Sequence, residues 1–157
     1  YQHYEVSAYG QPHKHCQHNL NYWGYGDYLG IGAGAHGKVT APDGRIQRYA
    51  KYAKPARFVS ALRKDIDSAS VLRDLAMQTQ VDGKNAQFEF MLNNLRLSEG
   101  FSRAAYEQRS GEFFAQLEPL VITAIERGLL EQDGPEHWRP TELGARFLDD
   151  LQGMFLP

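Results

Sequence analysis

Between residues 24 and 37 the chain places glycine at positions 24, 26, 30, 32, 34 and 37. No helix tolerates that density, because each glycine loses the most backbone freedom on ordering and brings no side chain to pack. The run forces turns and extended backbone here, and the elements on either side must be read around it. Upstream, His3 to Ser7 alternates as a strand would, and within the run Tyr28 to Ile31 reads as a buried strand. Downstream, Pro42-Asp43-Gly44 sits between Lys-Val-Thr-Ala and Arg-Ile-Gln-Arg-Tyr. That is a turn signal between β-compatible residues, so residues 38–49 are predicted to form a hairpin. Pro55 suits the first turn of a helix carrying Phe58 and Leu62, and a weaker helical pattern covers Ala69 to Gln78.

From residue 86 the apolar spacing becomes helical. Phe88, Met91, Leu92 and Leu95 share one face, and Phe113, Leu117, Leu120, Val121, Ala124 and Ile125 form another. Pro119 is expected to kink or restart the second of these helices, and Gly128 to end it. Leu129-Leu130, an Asp133-Gly134-Pro135 turn and His137-Trp138-Arg139 predict a two-stranded wing. Thr141 can cap a last helix through Phe147, Leu148 and Leu151. Helices followed by a small hairpin and a helix describe a winged-helix-like domain. The predicted fold class is therefore α+β, with strands and a hairpin first and a mostly helical domain after them.

Charge follows the same division. Residues 1–85 hold 11 Lys and Arg, 7 Asp and Glu and five of the six histidines, a net charge of +4. The rest holds 6 Arg, no Lys and 12 Asp and Glu, a net charge of -6. Such asymmetry predicts units with different jobs. It also argues against nucleic acid, since DNA-binding winged helices neutralise phosphates with clustered Lys and Arg. The candidate recognition helix around Glu112 to Arg127 instead bears Glu112, Glu118 and Glu126 against Arg127. The single cysteine, Cys16, excludes an internal disulfide framework and fits a reducing, cytoplasmic setting. No apolar run approaches the roughly 18 residues of a membrane-spanning helix.

The densest chemistry lies in residues 13–23, His-Lys-His-Cys-Gln-His-Asn-Leu-Asn-Tyr-Trp. Imidazole and thiolate bind zinc, copper or heme iron, so His13, His15, Cys16 and His18 are candidate ligands, with ordinary polar loop residues as the plainer reading. Their spacing matches no zinc template. Tyr22 and Trp23 can cover a flat aromatic ligand or simply pack. Gly32 to Gly37 fits GxGxxG after a predicted strand, but a predicted hairpin follows it, whereas a dinucleotide turn needs a helix N-terminus facing the pyrophosphate. The plainer reading is a strand end where backbone passes close to backbone or to a ligand, which His36 can reach.

Taken together, His-Asn-Leu-Asn-Tyr-Trp (residues 18–23), Gly26 to Thr40 and Pro42 to Ile46 resemble the HemW-like, heme-handling branch of the radical-SAM coproporphyrinogen oxidase family, including its HNxxYW signature. Residues 4–12 are similar to the family's last barrel strands. Residues 89–101, Glu126 to Leu130, Thr141 to Gly144 and the terminal Met-Phe-Leu resemble its C-terminal domain. The resemblance covers nearly the whole chain and is most specific in its first third.

That resemblance implies a parent with a partial (β/α) barrel, a [4Fe-4S] cluster on a CxxxCxxC motif, and bound S-adenosylmethionine. None of those cysteines is present, and the chain opens on Tyr1 without the regions of a signal peptide. The expectation is a C-terminal fragment: residues 1–54 as the end of the barrel with the HNxxYW motif and hairpin, 55–85 as a helical linker, and 86–157 as the winged-helix-like domain. The family's heme-associated histidine falls on His18, which is the expected iron ligand. His18, Asn19, Tyr22 and Trp23 form the expected heme site, while Gly30, Ile31, Gly32 and Gly34 form a strand facing the cofactor or porphyrin space. The implied function is heme chaperoning toward heme-accepting respiratory proteins, with peripheral membrane association. The alternatives are oxygen-independent coproporphyrinogen III oxidase of porphyrin biosynthesis and a protein-interaction module on the acidic domain. The oxidase carries a Gln-containing run where this chain has HNxxYW. The fragment alone is expected to catalyse nothing, and a homodimer is one way to cover its exposed barrel strands.

Overall fold

A computed structural model of the chain describes residues 1–63 and 76–157. They form two compact units, residues 1–26 with 82–157, and residues 27–81. These bounds differ from the expected 1–54, 55–85 and 86–157, and the first break falls inside the glycine run. The charge asymmetry sits in the units themselves. The 27–81 segment carries 9 Lys and Arg against 5 Asp and Glu, and the remainder 8 against 14.

The larger unit opens with β1 (Gln2–Glu5) and β2 (Ala8–Gly10), an antiparallel pair, followed by α1 (Gln17–Trp23). The predicted strand through Ser7 stops at Glu5, because the Ser7 N–H and hydroxyl both donate to the Glu5 carboxylate and turn the chain. The backbone of β1 and of the residue after it also bonds residues 96–98, Ser98 N–H donating to the Tyr4 carbonyl and Val6 N–H to the Arg96 carbonyl.

In the 27–81 unit, β3 (His36–Thr40) and β4 (Ile46–Lys51) make the predicted hairpin, in register from His36 opposite Ala50 to Thr40 opposite Ile46. Gly44, at φ 85, takes the left-handed position of the turn, and the Asp43 carboxylate accepts from the Arg45 backbone and guanidinium. The helix α2 (Pro55–Leu62) begins on its proline as predicted. Next comes β5 (Ala76–Val81), antiparallel to β4, giving the order β3-β4-β5. Of the predicted helix 69–78, residues 69–75 lie outside the described residues. Residues 76–78 are strand instead, because ladder bonds to β4 outweigh a weak local periodicity.

The predicted buried strand Tyr28 to Ile31 is also corrected. Only Tyr28 bridges to Lys38, while Leu29 is 75% and Ile31 92% exposed. Side chains replace a strand partner at Gly30: its N–H donates to the Tyr49 hydroxyl and its carbonyl accepts from Lys51 Nζ at 2.7 Å. Gly32 and Gly34, at φ 94 and 74, then turn the chain into β3. No helix follows the GxGxxG match, so the geometry of a dinucleotide turn is not made.

The larger unit resumes with α3 (Gly83–Asn94), β6 (Phe101–Ser102), α4 (Arg103–Ser110), α5 (Phe114–Glu126), β7 (Leu130–Gln132), β8 (His137–Pro140), α6 (Glu142–Arg146) and α7 (Leu148–Gly153). The sheet order is β6-β8-β7, all antiparallel. An aromatic core holds it together. The Phe90 ring meets Tyr25, Phe101 and Tyr106 edge-on, with centroids 6.0, 5.8 and 5.1 Å away, and Phe114 stacks on Trp138 at 4.6 Å.

Four predictions shift here. Packing draws Ala86, Phe90, Met91 and Leu95 inward with Gln87, Asn93 and Asn94, leaving Leu92 exposed and Phe88 half-buried. Asn94 is tolerated because its amide donates to the Phe90 carbonyl. On α5 the buried face is Phe114, Leu117, Val121 and Ala124, with Phe113 outside the helix and 75% exposed. Of the two expected effects of Pro119, the restart does not occur, and α5 runs through it: the carbonyl it orphans belongs to exposed Ala115, where water can satisfy it. The last predicted helix is two short ones broken at Phe147, whose ψ of 46 leaves the helical region. Gly128, at φ 70, ends α5 as expected.

Candidate functional site

The α1 helix carries the His-Asn-Leu-Asn-Tyr-Trp run. By itself it is poorly held: seven residues, none buried, and a Cys16 cap position that makes no side-chain bond. Its stability comes from neighbours. Near its start, Asn19 donates to the Tyr4 hydroxyl at 3.4 Å. At its end, the Arg96 guanidinium lies 4.2 Å from the Trp23 ring, and Tyr22 meets Trp23 edge-on at 4.9 Å. Arg96 in turn donates through Nε and Nη2 to Glu5 Oε1, at 2.9 and 2.7 Å. Glu5 is 1% exposed. Burial alone would raise its carboxyl, but the Ser7 N–H, the Arg96 guanidinium and the Ser7 hydroxyl outweigh it and hold the group below its ordinary value. After α1, Tyr25 takes a left-handed φ of 59 and buries its ring, its hydroxyl donating to Glu89 Oε2 at 2.8 Å.

The predicted ligands do not converge. His15 stacks on Tyr4 at 4.4 Å, with its Nε2 buried and unbonded. His13 occupies a turn at φ 62, and Cys16 is exposed. Among the described residues no three His, Cys, Asp or Glu side chains are placed to hold a metal ion. His18 stands apart, exposed and without a side-chain hydrogen bond among the described residues. A single exposed imidazole suits one axial position of a heme iron and does not suit a zinc site. Of the expected heme-site residues, Asn19 and Trp23 are engaged with Tyr4 and Arg96, and Tyr22 packs edge-on against Trp23.

Gly30, Ile31, Gly32 and Gly34 fall in the 27–81 unit, whereas His18, Asn19, Tyr22 and Trp23 fall in the other. Within its unit the glycine loop leaves Ile31 outermost and makes its backbone contacts through Gly30 and Gly34, the latter donating to the Tyr52 carbonyl. Sequence reading missed Glu5, Arg96, Tyr4 and Glu89. The available signal was a carboxylate beside Tyr4 in a predicted strand and an arginine between Leu95 and Leu97, both of which ask for an opposite charge when buried.

Small antiparallel sheets and an aromatic helical core, with a histidine-bearing helix near the start, make a mixed α/β chain. Residues 81–147 match the HemN C-terminal domain model. The chain is 42% identical, over 99% of its length, to "Heme chaperone HemW" of Escherichia coli, and 36% identical over the same share to that of Haemophilus influenzae. It is 29% identical over 96% of its length to "Radical S-adenosyl methionine domain-containing protein 1, mitochondrial" of Dictyostelium discoideum. The chain belongs to the HemW-like branch of the HemN family, and it spans 38% of the length of the two bacterial relatives. No solved structure matches it. Among the described residues no helix is long and apolar enough to cross a membrane.

Proposed function

We propose that this chain supplies the heme-contacting part of a heme chaperone, with His18 as an axial ligand to the iron. The observation that carries the reading is His18 itself: exposed, without a side-chain partner among the described residues, on a helix otherwise pinned at both ends. Heme here is cargo. The glycine loop from Gly30 to Gly34, which exposes Ile31, stays in this reading a cofactor- or porphyrin-facing segment of the parent, judged within its own unit. The chaperone reading is preferred to the oxidase because the relatives sharing this segment are named for heme chaperoning.

The residues present do not fit a [4Fe-4S] cluster, since Cys16 is the one cysteine and no ligand group surrounds it among the described residues. The cluster and S-adenosylmethionine belong in this reading to another part of the parent, with residues 1–54 as the end of its barrel. The order helix, short strand, two helices, hairpin from α3 to β8 supports reading residues 86–157 as a winged helix. Its net charge of -6 directs it toward proteins and away from phosphate backbones. The recipients are heme-accepting respiratory proteins, met at the membrane surface from the cytoplasmic side.

Heme titration of the full-length protein tests the assignment. Wild type should give the Soret signature of histidine-ligated heme, and His18→Ala should shift it and weaken binding. An unchanged spectrum and affinity in His18→Ala would overturn the role of His18.

A further inference from the structure

We infer that Arg96, held by Glu5, is a positioning residue for the heme-ligating helix: the ion pair of buried Glu5 with half-buried Arg96 sets the orientation in which α1 presents His18. This rests on the reading of His18 given above. Adjacent residues of β1 reach the two ends of α1. Tyr4 accepts from Asn19 one residue past His18, and Glu5 fixes Arg96 under Trp23, the last residue of the helix.

Several observations make the pair more than a local ion pair. The helix buries no residue and lacks a side-chain cap, so contacts outside it decide its direction. Glu5 uses both carboxylate oxygens, Oε1 for Arg96 and Oε2 for the Ser7 N–H and hydroxyl, which leaves the carboxylate one orientation. Both Arg96 bonds converge on that oxygen, which fixes the plane of the guanidinium and therefore the seat of the indole. The Arg96 backbone is fixed as well, since its carbonyl accepts from Val6 N–H. A rigid chain thus runs from β1 through Arg96 to the ring that ends α1. A ligand imidazole on an unburied helix needs such support, as metal-bound histidines need their outer partners.

The test compares Arg96→Ala, Arg96→Lys, Glu5→Gln, Trp23→Phe and Trp23→Leu with His18→Ala in the full-length protein. Ferric heme is the probe, and affinity, Soret position and the electron paramagnetic resonance of the ligation state are the readouts. Arg96→Ala and Trp23→Leu should weaken heme binding about 10-fold and give a mixture of ligation states. Trp23→Phe, which keeps a ring over the guanidinium, should restore one state. Arg96→Lys keeps the charge but not the plane, and should fall between. Should Arg96→Ala fold poorly, the Trp23 pair carries the test, because both replacements leave the Glu5–Arg96 bonds in place. Wild-type affinity and a single unchanged ligation state in Arg96→Ala or Trp23→Leu, with His18→Ala altered, would overturn the positioning role while His18 stands. An unaltered His18→Ala would overturn the ligand assignment and this inference with it.

Discussion

The Lys38 ammonium lies 3.0 Å from the Asp27 carboxylate, with the lysine side chain 2% exposed and the aspartate 44%. Asp27 also accepts from the Thr40 N–H at 2.8 Å and the Thr40 hydroxyl at 2.9 Å, clasping the start of the 27–81 unit to the middle of its hairpin. The two partners are unequally placed. Asp27→Ala takes the carboxylate from a buried ammonium and should destabilise this unit by about 2 kcal/mol, given the exposure of the aspartate. Lys38→Met fills the same volume and should cost under about 1 kcal/mol. Denaturant unfolding followed at the Tyr49 environment would measure both. Equal losses would contradict the asymmetry.

Acid should act through the same carboxylate. Burial works to raise Asp27, yet the Thr40 N–H, the Lys38 ammonium and the Thr40 hydroxyl hold it below its ordinary value of 3.8. A carboxyl depressed on folding contributes stability that is complete above its unfolded value and lost as pH falls through its folded one. The difference between wild type and Asp27→Asn should therefore be constant above about pH 5 and shrink below about pH 4. A difference that persists undiminished at pH 2 would contradict it.

Gly37 faces the ring of Tyr49 across the hairpin, and a Cβ there would overlap the ring and its hydroxyl. Gly37→Ala must push Tyr49 away and break its bond to the Gly30 N–H, at a cost of roughly 2–3 kcal/mol. Tyr49→Phe, which loses only the bond, should cost about 1 kcal/mol. Chemical shifts of the Gly30 amide would report the displacement directly.

What the sequence disclosed, and what it hid, divides by range. The hairpin was legible because Pro42-Asp43-Gly44 encodes its own turn, and α2, the end of α5 and the start of α6 because Pro55, Gly128 and Thr141 act on backbone within a few residues. The strand β5 was hidden because its pairing with β4 spans residues whose local periodicity points elsewhere. The faces of α3 and α5 were offset because apolar spacing cannot tell a residue at a helix end, such as Phe113, from its neighbour Phe114 inside. At the site, the HNLNYW run stood out by its chemistry. Its supports did not, since Glu5 lies 91 residues from Arg96 and Tyr25 lies 64 from Glu89.

That offset can be measured. Phe114 is buried between Trp138 and Tyr106, while Phe113 projects into solvent. Phe114→Ala should destabilise the larger unit by about 3–4 kcal/mol, and Phe113→Ala by less than about 0.5 kcal/mol. Comparable losses would mean that the face read from sequence is the correct one.

Thr141 joins two helix ends through one hydroxyl. Its oxygen accepts from the Gly144 N–H at 3.0 Å, capping α6, and its hydrogen is donated to the Gly128 carbonyl at 2.6 Å, just beyond the end of α5. Thr141→Val keeps the shape and removes both bonds, leaving a helix-start donor and a helix-end acceptor to water. The expected loss is about 1–2 kcal/mol, with faster hydrogen exchange at the Gly144 amide. Thr141→Ser retains the hydroxyl and should recover most of the loss. Were Thr141→Ser as destabilising as Thr141→Val, the methyl group and not the shared hydroxyl would be what holds α6 to the end of α5.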